Sequence, residues 1–221
     1  MVSLGLALSG SGDVFGWGDG MEGQLGEAGT QRLTRPFGPS VVREPKLDPQ
    51  LAPLAARNLN AETRKKHEKK DVYVTGVAVG AYHSMFTTLK GQVYMQGLNN
   101  YGQCGHGTRR NEWRPRLVDA LAVTRVTTVS CGFWHTGFLT ERRQVYFCGL
   151  NNNGQLGMDS DSHDEGLKTQ ETPKLNSFFD AAGVVSIACG GFHTAVLTNA
   201  GECYTFGDGS QYQLGHGCVY N

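Results

Sequence analysis

A glycine-punctuated phrase occurs four times and limits what this chain can fold into. It reads GDVFGWGDGMEGQLG at 12–26, GQVYMQGLNNYGQCG at 91–105, QVYFCGLNNNGQLG at 144–157 and GECYTFGDGSQYQLG at 201–215, with Arg143 in place of the opening glycine of the third copy. A second phrase alternates with it: VAVGAYHSMFTT at 77–88, VSCGFWHTGFLT at 129–140 and IACGGFHTAVLT at 187–198. Copies of the second phrase lie 52 and then 58 residues apart, and the last three copies of the first keep the same step. Two phrases in step belong to one repeating unit, and such units lean on their neighbours instead of each burying a core.

Both phrases are strand-like, being short runs of β-branched and aromatic residues bounded by Gly and Asn. His193 to Thr198 and Glu202 to Phe206 are joined by Asn199, Ala200 and Gly201, which suits a hairpin loop. A third element starts at a proline: Pro115 and Pro173 each stand 14 residues before the next copy of the second phrase. About four short antiparallel strands repeated at ~50 residues fit a propeller blade better than a sandwich, whose strands need no such period. The expected fold is all-β, a partial β-propeller of about four units with four-stranded antiparallel blades. It forms one repeat domain over 1–221, with approximate units 1–26, 27–105, 106–157 and 158–217.

The frame also locates insertions. Six extra residues precede Pro173, within an acidic stretch that carries Asp159, Asp161, Asp164, Glu165 and Glu171. With the first unit's proline strand set at Pro36, 27 extra residues follow it, the insertion covering 44–71. That insertion ends in the basic cluster Arg64, Lys65, Lys66, Lys69 and Lys70. Its plain interpretation is a disordered or partly helical loop; its sharper one is a nuclear-import, phosphate or acidic-partner site. Successive loops of a meander leave opposite ends of the strands, so the acidic and basic insertions are expected on opposite faces.

Chemistry is scarce. The histidines His83, His135 and His193 come one per unit, so a repeated hydrogen-bonding role within each blade outweighs a ligand or base role. His106 and His216 sit in Gly-His-Gly turns. The Gly-Gln-Leu-Gly segments recur in every unit with no helix pattern after them, which makes them turns and not nucleotide loops. Trp17, Trp113 and Trp134 suit core or interface packing. The six cysteines have no CxxC pair, and Cys131 and Cys189 share a repeat position; they suit structural thiols first, disulfides next and a metal last. No catalytic, cofactor-binding or metal residue is expected, and no cofactor. With 20 basic and 20 acidic residues the formal net charge is +0, so no global field points to nucleic acid. No stretch approaches the ~20 apolar residues of a spanning helix. A cytoplasmic or nuclear setting is expected, with protein partners, no membrane, and nucleic acid only through the basic insertion.

The alternation of 145–157 with 184–198 resembles the repeat of the regulator of chromosome condensation family. The resemblance covers nearly all of the chain outside the long insertion, and it implies a propeller, usually of seven blades, around a central channel. Four copies of the glycine phrase and three of the histidine phrase fall short of seven blades. The expectation is therefore a fragment, a divergent short form, or a protein whose open edges pair with another chain. The leading functional expectation is a non-catalytic protein–protein interaction module, with the basic cluster and Asp159, Asp161, Asp164 and Glu165 as candidate partner-binding residues. The resemblance also implies guanine-nucleotide exchange on a small Ran-like GTPase as an alternative. A regulatory fragment of a larger protein such as a ubiquitin ligase is the third.

Overall fold

The short β-branched and aromatic runs of both phrases form antiparallel strands in the computed structural model. It describes residues 4–10, 13–19, 23–25, 74–158, 168–217 and 219, with 41–47 described along the backbone. The strands in order are β1 (Leu4–Leu8), β2 (Val14–Asp19), β3 (Val41–Leu47), β4 (Val74–Val79), β5 (His83–Thr88), β6 (Val93–Gly97), β7 (Glu112–Leu117), β8 (Val126–Cys131), β9 (His135–Thr140), β10 (Val145–Leu150), β11 (Thr169–Leu175), β12 (Val184–Cys189), β13 (His193–Thr198) and β14 (Cys203–Gly207). They form four meander sheets: β1–β3, β4–β7, β8–β11 and β12–β14.

Register identifies the strands missing from the outer sheets among the described residues. Leu4 pairs with Gly18 as His83 pairs with Gly97, so β1 is a second strand and its blade lacks the first. The blade β12–β14 likewise holds strands one to three. First strands of consecutive blades meet, β4 against β8 and β8 against β12, which places them on the inner side of the array.

Because a single blade is one layer thick, its apolar faces are buried only by stacking on neighbours. Among the described residues the core is accordingly three clusters at three blade contacts. Val14, Val74 and Phe86 join the first two blades. Met85, Met95, Val126 and Phe138 fill the second contact, and Leu139, Phe147, Phe179, Val184 and Ile187 the third.

The proline strand of the first blade lies nine residues later than expected. Pro45, not Pro36, takes the place of Pro115 and Pro173, because Phe15 pairs with Leu47 and Gly18 with Val42 just as Tyr146 pairs with Leu175 and Gly149 with Gln170. Residues 44–47 therefore belong to β3 and not to the insertion. In each blade that has this strand the register shifts at the proline, where three residues of its strand stand opposite one of the partner and the missing N–H costs no ladder bond. Blades begin at β4, β8 and β12, so units counted from one glycine turn to the next straddle two blades.

Candidate interaction surface

The glycine phrase closes on itself through its amide side chains. Asn151 Oδ1 accepts from the Leu156 N–H at 2.9 Å, and Gln155 Oε1 from the Asn153 N–H at 3.0 Å. Asn99 and Gln103 do the same for Cys104 and Tyr101 at 2.8 and 2.9 Å. These bonds satisfy the turn's own donors and leave the main-chain carbonyl of the glutamine for the next blade.

That carbonyl is where the two phrases meet. The Thr136 hydroxyl donates to the Gln103 carbonyl at 2.8 Å, and Thr194 to the Gln155 carbonyl at 2.8 Å. A threonine has one hydroxyl hydrogen, so its oxygen must accept from its other close neighbour. That neighbour is a histidine of the preceding blade: His83 Nε2 lies 2.8 Å from Thr136 Oγ1, and His135 Nε2 lies 2.9 Å from Thr194 Oγ1. Both imidazoles thus carry their hydrogen on Nε2. The bond expected within each blade runs between blades, because stacking sets the start of each second strand beside the start of the next one.

Burial keeps these rings neutral. Desolvation lowers the pKa of His83 to about 4, and desolvation with the neighbouring His83 and His193 lowers that of His135 to about 3. Room for each ring comes from the glycine three residues before it. A Cβ on Gly80 would lie 2.6 Å from His83 Cε1, and Gly132 and Gly190 are similarly covered by His135 and His193. Among the described residues His193 has no following blade.

The thiols are packing groups. Cys104, Cys131 and Cys148 are buried and free, Cys189 is partly buried and Cys203 exposed. Burial raises the pKa of the first three, and pushes that of Cys189 up to about 11. Among the described residues no group of three or more His, Cys, Asp or Glu could hold a metal ion.

An aromatic rim lies at the end of the strands where these histidines begin. Tyr82 and Trp134 stack across two blades with centroids 4.5 Å apart, and Tyr101 meets Trp134 edge-on at 5.1 Å. Phe133, 46% exposed, packs edge-on against Phe192 of the next blade at 5.5 Å. Composition alone hid this rim, yet it is written in the motif: the residue before each histidine is Tyr82, Trp134 or Phe192. Trp113 is exposed and covers Gly23 of the first blade, while Trp17 covers Gly5. Beside the rim, Arg109 and Glu171 link two blades by an ion pair of 2.8 Å.

The charged candidates lie outside the described residues: Arg64, Lys65, Lys66, Lys69 and Lys70 between β3 and β4, and Asp159, Asp161, Asp164 and Glu165 between β10 and β11. Their attachment points are described. The loop after β10 leaves from Leu150, paired with Thr169, at the rim end where His135 faces Gly149. The segment after β3 leaves from Leu47, which pairs with the start of β2, at the other end. No helix among the described residues is long and apolar enough to cross a membrane.

The comparisons with known proteins agree with this architecture. Human E3 ubiquitin-protein ligase HERC2 is 33% identical over 214 residues, covering 96% of this chain and 4% of that protein. Mouse RCC1 domain-containing protein 1 is 33% identical over 176 residues, 66% of this chain and 47% of the relative. The chain thus spans less than half the length of either relative. Among solved structures, yeast RCC1 (Prp20) bound to Kap60 aligns with a TM-score of 0.73 at 20% identity, over 99% of this chain and 45% of that one. Human WBSCR16 aligns at 0.70 and 24% identity, over 93% and 45%. At these identities the solved structures speak for the fold. Residues 3–220 match the family model described as RCC1-like domain, and the chain belongs to that family.

Proposed function

We propose that this chain is a non-catalytic protein–protein interaction module whose stacked blades hold two differently charged loop faces apart. The observation that carries this is the direction of the strands at the two loops. The acidic loop departs beside the aromatic rim of Tyr82, Trp134, Phe133 and Phe192, and the basic segment departs from the opposite end. An aromatic rim next to acidic residues suits a cationic partner segment, and the basic cluster suits an acidic one. The motif histidines serve the scaffold, which fits binding by loops and not chemistry in the blades. Reversing Arg64, Lys65, Lys66, Lys69 and Lys70 to Glu should abolish partner capture in a pull-down with the purified chain. Unchanged capture would reject the basic face as a site.

Guanine-nucleotide exchange on a small Ran-like GTPase is a second function, favoured by the similarity to Prp20p, whose structure was described with its binding to Gsp1p and histones. Exchange would require tighter binding to the nucleotide-free than to the loaded GTPase. Faster release of labelled nucleotide from one member of a panel of small GTPases would establish it, and no acceleration would remove it. A role as a regulatory part of a larger protein is supported by the small share of HERC2 that the chain matches.

A further inference from the structure

Strand register equates residues across blades, and one blade contact departs from the others. Leu4, paired with Gly18, stands where His83 pairs with Gly97 and His135 with Gly149. Gly16, two residues before Gly18, stands where the fully buried Met95 and Phe147 precede Gly97 and Gly149. Ser84, paired with Gln96, takes the place of Thr136 and Thr194, which pair with Cys148 and Phe206. All three changes fall where the first blade meets the second.

Each change removes something that the later contacts possess. Leu4 has no side-chain N–H, so the Ser84 hydroxyl, which donates to the Gln24 carbonyl at 2.6 Å, lacks the donor that Thr136 finds in His83 and Thr194 in His135. Gly16 brings no side chain, and a Cβ there would lie 2.8 Å from Leu25 Cδ2 and 3.2 Å from Leu6 Cδ2. Gln96 also donates to the Gln24 carbonyl, at 3.3 Å, while its own Oε1 is buried with no hydrogen-bond partner. An acceptor left unmade costs free energy in the closed contact and regains water when the contact opens. Val14, Val74 and Phe86 pack this contact without the histidine's directed bond.

Chain connectivity sets the same contact apart. The later blades are joined by the short connections 118–125 and 176–183, each carrying a 3-10 turn, whereas 48–73 separate β3 from β4. The last blade provides a control for the first. It too contributes three described strands, yet its inner contact keeps the whole arrangement of His135, Thr194 and the Gln155 carbonyl.

We propose that the contact between the first and second blades is a joint built into the array. The first blade separates there by local opening while the second, third and fourth stay locked together. The segment that carries Arg64, Lys65, Lys66, Lys69 and Lys70 is attached on both sides of the joint, at Leu47 and at Val74. Opening therefore changes the separation of its two attachment points. The joint belongs to the scaffold, so its failure leaves the loop-based function standing.

Native-state hydrogen exchange on the 221-residue chain tests this by comparing β2 and β13, the central strands of the two three-stranded sheets. The hydrogen-bonded amides of 14–19 should exchange at least about tenfold faster than those of 193–198. His135→Leu, which copies the first contact into the last, should speed exchange at 193–198 by at least about tenfold and change 83–88 much less. Exchange at 14–19 as slow as at 193–198 in the unaltered chain would overturn the proposal, whether or not the variant folds. So would an unchanged rate at 193–198 in His135→Leu, or an equal increase at 83–88, since the blades would then open together.

Discussion

His83 of the second blade donates through Nε2 to the hydroxyl of Thr136 on the third, 2.8 Å away, and that hydroxyl passes its own hydrogen back to the Gln103 carbonyl of the second. One threonine therefore ties two segments of the preceding blade, the start of its second strand and the turn after its third. His135, Thr194 and Gln155 repeat the arrangement one blade on. The histidine and the threonine of the second phrase are accounted for by a contact with the first that neither phrase makes alone.

Replacing Thr136 by Val keeps the shape and removes both bonds, leaving a buried imidazole N–H without a partner and the Gln103 carbonyl with only the weak Cys148 thiol donor at 3.4 Å. Urea denaturation should report a loss of about 2–4 kcal/mol. Thr136→Ser should cost about 1 kcal/mol or less, because Ser84 already fills the equivalent position in the second blade and donates to the Gln24 carbonyl at 2.6 Å.

Acid should loosen the stack before it touches the carboxylates. Burial holds the pKa of folded His83 at about 4 and of His135 at about 3, below the ordinary 6.5 of a histidine. The unfolded chain then binds more protons than the folded one between those values, so stability present above pH 6.5 falls as the pH drops, by up to ~1.4 kcal/mol per unit for each histidine. Thermal melts from pH 7.5 to 5 should show Tm falling, with a shallower slope in His83→Gln.

Gly149 closes β10 at φ 105°, a backbone state that side chains rarely adopt. A Cβ there would also strike the Trp134 carbonyl. Gly149→Ala should destabilise by about 2–4 kcal/mol in denaturant unfolding, whereas Gly154→Ala, with open space around its Cβ, should cost only about 1 kcal/mol.

Much of this was legible in the sequence, and what was not has a physical cause. Strand order, hairpins and turn glycines follow from local periodicity, so His193–Thr198 and its hairpin partner stand where the phrases predict them. Spacing alone sets the proline strand of the first blade at Pro36 because five prolines, Pro36, Pro39, Pro45, Pro49 and Pro53, stand in the interval; pairing of Leu47 with Phe15 selects Pro45, whose Pro-Lys-Leu also matches residues 173–175. The histidine bonds were assigned to the wrong neighbour because a repeat motif names the donor without naming the blade that accepts. Tyr82 on Trp134 was missed for the same reason: the two lie 52 residues apart and meet only when blades stack.

The three motif histidines offer the most direct test that the repeated phrase is a lock between blades. In sequence they are equivalent; among the described residues His83 and His135 have a following threonine and His193 has none. Chemical denaturation of His83→Ala, His135→Ala and His193→Ala should give losses of about 2–3 kcal/mol for the first two and under about 1 kcal/mol for the third. Equal losses at all three would contradict the account, placing the histidine's work inside its own blade.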